Sequence, residues 1–314
     1  MGRLAPTPSG RLHLGNAVNF VLTWLLVRRA GGRLHLRIDD LDRARLRRAY
    51  LDDIFRVIDW LGIDYDSGPT GPDDFLRHHS QLLHLPAYHA VLRRLAQRPG
   101  LVVASRRSRV GSLVGGSTAS APLPLDAPGV GWWARVPPGT VVSWADGWAD
   151  NRTETRPVTP PEMPVSVPLG TEMPEFSLRR KDAVPAYQLA SVVDDLRLGT
   201  TLVVRGHDLR PSTAVQLWLA AQLPETSAFN ASRVRFYHHP LLLDAAGTKL
   251  SKSAGGAVPA APVLGQASGP TQVFQAVAAL LGLPTGAAES LAALRGAFVT
   301  QGMTKCPTLT DLTQ

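Results

Sequence analysis

Cysteine is almost missing from this chain. Cys306 stands alone among 314 residues, which excludes an internal disulfide framework and any cysteine-based zinc site. Long apolar runs are missing as well. The longest near the start, Ala17 to Val27, is interrupted by Asn19 and Thr23 and is too short to span a bilayer. The N-terminus runs straight into Pro-, Gly- and His-bearing sequence with no visible signal peptide. The expectation is a cytoplasmic chain with no membrane partner. Lysine is scarce too: of 33 basic residues only Lys181, Lys249, Lys252 and Lys305 are not arginine. Acidic residues number 25, so the net charge is +8. That excess favours a polyanionic partner, nucleic acid first, although a GC-rich genome inflates arginine in the same way.

What is present is a globular composition, 44 % apolar and 18 % charged, with length for one large domain carrying an insertion or for two unequal domains. Residues 3–5 read as a short strand, followed by the Pro/Gly turn "APTPSGRLHLGN". Val18, Val21, Leu22, Leu25 and Leu26 then recur at helical spacing up to Gly31-Gly32, a C-cap signal. "RLHLRI" (33–38) alternates like a strand and ends in Asp39, Asp40 and Asp42; helical spacing returns over 48–61 and 80–97. This order predicts an α/β fold built on a doubly wound parallel sheet. From Ser105 to Met173 the chain turns rich in Gly, Pro, Ser and Trp and reads as β-rich. The α/β pattern resumes with helices near 185–196 and 212–223 and strands at 201–206 and near 234–237. An Ala/Gly/Pro linker (254–270) and two helices, near 271–282 and 287–297, follow. No internal repeat is present.

Three stretches carry chemistry. His13-Leu14-Gly15-Asn16 lies where a turn enters a helix, and helix N-termini hold phosphates through free N–H groups and a partial positive charge. His13 alone is equally compatible with an ordinary turn. "GTKLSKS" (247–253) places Lys249 and Lys252 in a short loop with two serines. Lysine is a compact, mobile point charge that can follow a pyrophosphate, whereas arginine is a planar fork; a solvated surface loop is the plain alternative. "PAYQLASVVDDLRLGTTLVVRGHDLRPST" (185–213) sets Tyr187, Gln188, Asp194, Asp195, Arg205 and Asp208 among apolar residues. Arg205 ends a predicted strand, where charged groups face the ligand crevice of a parallel sheet, and can grip a carboxylate. Asp194 and Asp195 have a structural alternative, pairing with Arg197 or Arg210. His78, His79, His84 and His89 match no zinc spacing.

Together these stretches resemble a class I aminoacyl-tRNA synthetase of the glutamyl type. "RLAPTPSGRLHLGNA" is similar to the family opening with its shortened HIGH signature. "LRIDDLDRAR", "WLGIDYDSGP", "LRRKDAVPAYQLASVVDD" and "VVRGHDLRPSTAVQ" follow in the family's order, and "GTKLSKS" resembles its KMSKS loop. The resemblance implies a Rossmann-type catalytic domain over 1–245, interrupted by an acceptor-binding-like insertion at 101–178, then the KLSKS loop and a helical stem-contact region over 246–314, with no anticodon-binding domain. That shortened form resembles the branch that moves glutamate onto queuosine in tRNA(Asp). By the same resemblance Arg3, Ala5, Thr7, Asp39, Tyr187 and Arg205 would bind glutamate, with Asp39 toward its ammonium. Pro6, His13, Gly15, Asn16, Lys249, Leu250, Ser251 and Lys252 would bind ATP, with His13, Gly15, Lys249 and Lys252 carrying catalysis. Mg²⁺ would bridge the phosphates. The implied partners are tRNA, glutamate and ATP, acting on a monomer.

The sequence also departs from the pattern. Asp39 stands where the family has Glu, and Thr7 where it has Ser. Val102 and Ala104 occupy the positions of zinc-knuckle cysteines, so zinc is not expected. Residues 105–121 are unlike the family. Two further readings therefore stay open: an adenylate-forming ligase with another acceptor, and a synthetase-like RNA-binding paralogue without catalysis.

Overall fold

The computed structural model describes residues 1–106, 123–148, 163–242, 261–265 and 269–302. The "GTKLSKS" loop, with Lys249, Leu250, Ser251 and Lys252, lies outside the described residues.

The chain opens with β1 (Gly2–Leu4), crosses over through α1 (Leu14–Arg29) and returns in β2 (Leu34–Leu36), parallel to β1. Helix α1 is longer and more deeply set than its spacing suggests. Ala17, Val18, Phe20, Val21, Leu22, Thr23, Trp24, Leu25 and Val27 are all buried, the mark of a helix covered on most sides rather than a half-solvated one. After β2 come α2 (Arg48–Trp60), the single-turn α3 (Pro72–Asp74) and α4 (Leu85–Ala96). Strands β3 (Val102–Ser105), β4 (Gly131–Arg135), β5 (Val142–Asp146) and β6 (Met163–Val167) follow, then the short α5 (Leu169–Glu172) and β7 (Glu175–Arg179). The α/β alternation resumes with α6 (Tyr187–Arg197), β8 (Leu202–Gly206), α7 (Arg210–Ala220) and β9 (Arg235–His239), and α8 (Thr271–Leu281) and α9 (Leu291–Gly302) close the described chain.

The main sheet has the order β2-β1-β8-β9-β5-β6. Its pairs are parallel except β5–β6, which is antiparallel. The interval 101–178, expected as an insertion, therefore gives two strands to the main sheet. It also forms most of a second, antiparallel sheet, β3-β4-β7.

Helices cover both faces of the main sheet. On β8, Val204 belongs to the core built around α1, α2, α8 and α9, while Val203 belongs to the core around α4, α6 and α7. Successive strand residues point to opposite faces, so this one pair shows the double winding. Helix α8 buries Val273, Phe274, Val277, Ala278 and Leu281 in the α1 core. From β1 the chain moves outward to β2, and from β8 it moves the opposite way to β9. The winding thus reverses between β1 and β8, and such a switch point leaves a crevice at the carboxyl ends of the strands.

No helix among the described residues is long and apolar enough to cross a membrane.

Candidate active site

A cleft of about 810 Å³ opens at that switch point. It is lined by the loop after β1, the start of α1, the end of β8 and the first residue of α6. Every described residue expected from sequence to bind substrate lies on its wall: Arg3, Ala5, Pro6, Thr7, His13, Gly15, Asn16, Asp39, Tyr187 and Arg205.

The entrance of α1 explains the His-Leu-Gly-Asn order. His13 is the N-cap. Its Nδ1 accepts the Gly15 N–H at 3.1 Å, and Asn16 Oδ1 accepts the His13 N–H at 3.0 Å. This reciprocal pair is a capping box with His in the place of Ser or Thr. Because Nδ1 accepts, the proton of the neutral ring sits on Nε2. A Cβ on residue 15 would lie 3.1 Å from His13 Cε1 and 3.2 Å from Nδ1, so glycine lets the imidazole fold over the helix start. The loop is pinned from outside the motif: Asp53 on α2, buried, accepts Leu12 N–H at 2.7 Å and Arg11 Nη1 at 3.3 Å. Val263 N–H donates to Leu12 O at 2.8 Å, which ties the C-terminal segment to the same loop.

Deeper in, Arg3 and Arg37 pair with two carboxylates, Asp39 and Asp195. Asp195 Oδ1 accepts Arg3 Nε at 3.0 Å and Arg37 Nη1 at 2.7 Å. Arg37 also grips Asp39, with Nε to Oδ1 at 2.7 Å and Nη2 to Oδ2 at 3.2 Å. All four are buried. Burial alone would push Asp195 upward, but Arg3, Arg37 and Arg205 outweigh it and hold the carboxyl below the ordinary range. Burial pushes Asp39 above that range, against the pull of Arg37.

Arg205 is the odd member. It is buried at the end of β8, and its Nη2 donates to Gln216 Oε1 at 3.0 Å. Its Nε and Nη1 are buried with no hydrogen-bond partner among the described residues. Burial lowers its pKa to about 10, with Arg3 and Arg37 adding to the fall. Buried donors without acceptors are costly, so this corner of the cleft suits an anion.

The structure also decides the Asp194–Asp195 alternatives. Asp194 accepts Tyr88 Oη at 2.8 Å and Gln81 Nε2 at 2.8 Å, with Arg197 at 3.6 Å. Asp195 pairs with Arg3 and Arg37, while Arg210 stands 3.6 Å from Asp146. Asp39 lines the cleft as expected, with each oxygen already engaged by Arg37. Sequence reasoning passed over Arg37, Asp53 and Gln216. Arg37 had a signal, a charged residue at the last polar position of the alternation "RLHLRI". Gln216 had a weaker one, an amide inside the apolar run "TAVQLWLA". Asp53 had none. Among the described residues no group of three or more His, Cys, Asp or Glu side chains could hold a metal.

A doubly wound parallel sheet with a capped helix start and a buried cationic cluster at its switch point has the arrangement of a nucleotide-binding domain. The family model "tRNA synthetases class I (E and Q), catalytic domain" matches residues 1–95 and 165–310. The chain belongs to this family of class I tRNA synthetases, and membership implies the use of ATP and of a tRNA. It is 36 % identical over 267 residues to a glutamyl-Q tRNA(Asp) synthetase of Nitratidesulfovibrio vulgaris, covering 80 % of this chain and 77 % of that protein. The same identity holds over 298 residues with the protein of that name from Symbiobacterium thermophilum, covering 90 % and 86 %. A glutamate–tRNA ligase of Xanthomonas oryzae is 32 % identical over 81 % of this chain, which spans 51 % of that longer protein. Among solved structures, a glutamate tRNA ligase of Elizabethkingia meningosepticum superimposes with a TM-score of 0.56 over 77 % of this chain and 49 % of that one, at 20 % identity. That likeness concerns the fold alone.

Proposed function

We propose that this protein activates glutamate with ATP to glutamyl-adenylate and transfers the glutamyl group to a tRNA, at queuosine in the anticodon of tRNA(Asp). The observation that carries the reading is Arg205: a buried cation in the lining of a cleft where guanidiniums outnumber carboxylates, with its Nε and Nη1 unpartnered among the described residues. A dicarboxylic amino acid fits. One carboxylate, held by Arg205 with Arg3 and Tyr187 beside it, satisfies the orphan donors; the other stays free to react. Asp39 Oδ1 takes Arg37 Nε and, at 3.5 Å, Gln81 Nε2, while Oδ2 keeps a lone pair beyond its bond to Arg37, which leaves an acceptor for the substrate ammonium. Ala5 and Thr7 complete that wall.

The phosphates of ATP would lie at the start of α1, against Pro6, Gly15, Asn16 and the Nε2–H side of His13, where N–H groups and the helix dipole favour negative charge. The free carboxylate attacks the α-phosphorus, the bond to the bridging oxygen of pyrophosphate breaks, and pyrophosphate leaves with its electron pair. No protein nucleophile is required; positioning and positive charge supply the catalysis. Lys249 and Lys252 would follow the charge that builds on the leaving group, and Leu250 and Ser251 would bring their loop against the nucleotide. Mg²⁺ would be held chiefly by the phosphates and water, as this ion commonly is. In the second step a hydroxyl of the acceptor attacks the adenylate carbonyl and AMP leaves.

The two glutamyl-Q relatives are matched along most of their length, which supports the queuosine acceptor. A second reading keeps the adenylate and changes the acceptor, because the family match passes over residues 96–164. Incubation with labelled glutamate, ATP and total tRNA separates them. Label on the queuosine base of tRNA(Asp) supports the first reading. Label at a tRNA 3′ end, or on no tRNA, overturns it.

A further inference from the structure

Arg205 is positioned by a chain of uncharged amides. Gln216, fully buried on α7, receives Arg205 Nη2 on its Oε1 at 3.0 Å. Its Nε2 donates to Gln188 Oε1 at 3.1 Å, and Gln188 Nε2 donates to Ser212 Oγ at 3.1 Å. The polarity of this relay is set at one end. A guanidinium can only donate, so Gln216 must present its oxygen to Arg205 and its nitrogen to Gln188, which in turn must present its nitrogen to Ser212. The other guanidiniums of the cluster have carboxylates: Arg3 and Arg37 share Asp195, and Arg37 also holds Asp39. Among the described residues, Arg205 is the one member of the cluster held by a neutral acceptor rather than a carboxylate.

We infer that Gln216 is a positioning residue that determines specificity for an anionic amino-acid substrate. It fixes the guanidinium of Arg205 through a neutral carbonyl, so the charge of Arg205 stays available to a substrate carboxylate. A carboxylate at 216 would be nearly the same shape and would hold Arg205 as firmly, but it would also neutralise it. A protein built on that pattern would have no surplus charge to offer. The inference rests on the proposed glutamate-activating function and adds to it the origin of the preference for a charged over a neutral side chain.

The test is steady-state ATP–pyrophosphate exchange, with and without total tRNA, using the full chain and its Gln216→Glu and Gln216→Met variants, with glutamate and glutamine as separate substrates. Gln216→Glu is expected to raise KM for glutamate roughly tenfold to a hundredfold, the worth of one charge-assisted contact. KM for ATP should stay within about threefold. The ratio of glutamate to glutamine kcat/KM should fall by a similar tenfold or more. Gln216→Met removes the acceptor but adds no charge; it should raise KM for glutamate by a smaller factor and leave the ratio closer to that of the parent. A Gln216→Glu protein with unchanged KM for glutamate, or a ratio that falls equally in both variants, overturns the inference. If Gln216→Glu does not fold, the Met variant decides: an unchanged KM for glutamate overturns the inference. Absence of exchange in the parent protein defeats the function itself, a separate outcome.

Discussion

Asp195→Asn is the perturbation that loads the arginine cluster most directly. The carboxylate is 0 % exposed, and Oδ1 alone takes Arg3 at 3.0 Å, Arg37 at 2.7 Å and Thr200 Oγ1 at 3.2 Å. Oδ2 is buried without a partner among the described residues. An asparagine can therefore keep its carbonyl oxygen toward the arginines and place its amide nitrogen where Oδ2 stood. Shape and the hydrogen bonds to Oδ1 are nearly retained; the losses are the charge and an amide group buried where no acceptor stands among the described residues. Breaking a buried ion pair by removing one partner costs about 3–5 kcal/mol, because the other charge stays buried. Asp195→Asn should fall at the lower end, about 3 kcal/mol. Asp195→Ala, which also strands the donors of Arg3 and Arg37, should fall at the upper end, about 5 kcal/mol. In urea, with a slope on the order of 2–3 kcal/mol per molar, the Asn variant should shift the midpoint down by roughly 1 M and the Ala variant further. Saturating glutamate should recover more stability in Asp195→Asn than in the parent, because the ligand carboxylate then meets a larger cationic surplus. A midpoint shift below about 0.3 M for the Asn variant, on the same slope scale, or identical shifts for both, refutes the account of the cluster.

Gly15→Ala should separate stability from activity: the gain of roughly 0.5–1 kcal/mol from replacing a helical glycine is offset by loss of the His13 cap, worth about 1 kcal/mol, so thermal stability should change little. The new Cβ, 3.1 Å from the His13 ring, should displace the imidazole and lower exchange kcat by on the order of tenfold to a hundredfold, and equal kcat in the two proteins would count against His13 as a phosphate contact. Burial, with Arg37, His79 and Arg197 adding to it, lowers the His35 pKa to about 4, so between pH 6.5 and about 4 the unfolded chain binds a proton that the native chain refuses. Stability should be complete above pH 6.5 and fall by about 2 kcal/mol through that window, after allowance for partial exposure; urea midpoints against pH should flatten in His35→Asn, and an unchanged slope would contradict this. Lys252→Arg keeps the charge but exchanges a mobile ammonium for a planar fork, and should lower exchange kcat by at least tenfold, a loss on the scale of 1.4 kcal/mol in the transition state; near-normal exchange would remove Lys252 from the reaction.

The parts of this molecule legible in its sequence are the local ones. The His13-Leu14-Gly15-Asn16 turn announces itself because cap, glycine and capping amide act on one another within four positions. Helix α1 and strand β8 follow from spacing and alternation. What escaped is set by distance along the chain. Asp195 meets Arg37 across 158 positions, and Asp53 reaches Leu12 across 41. No local pattern names such partners. Alternation over 140–144 signals a strand but not its neighbour, so the parallel pairing of β5 with β9 and its place in the main sheet appear only in the folded chain. The burial of α8 against α1 is of the same kind, since the apolar face is visible and the surface it covers is not.

A cationic cleft that selects glutamate for adenylation is tested by exchange itself. The most direct measurement is ATP–pyrophosphate exchange by the parent protein across glutamate, glutamine, aspartate and a neutral amino acid, each with and without total tRNA. Exchange with glutamate should stand well above the other three and collapse in Arg205→Met. Absence of glutamate-dependent exchange under both conditions, or exchange that survives Arg205→Met intact, would contradict it.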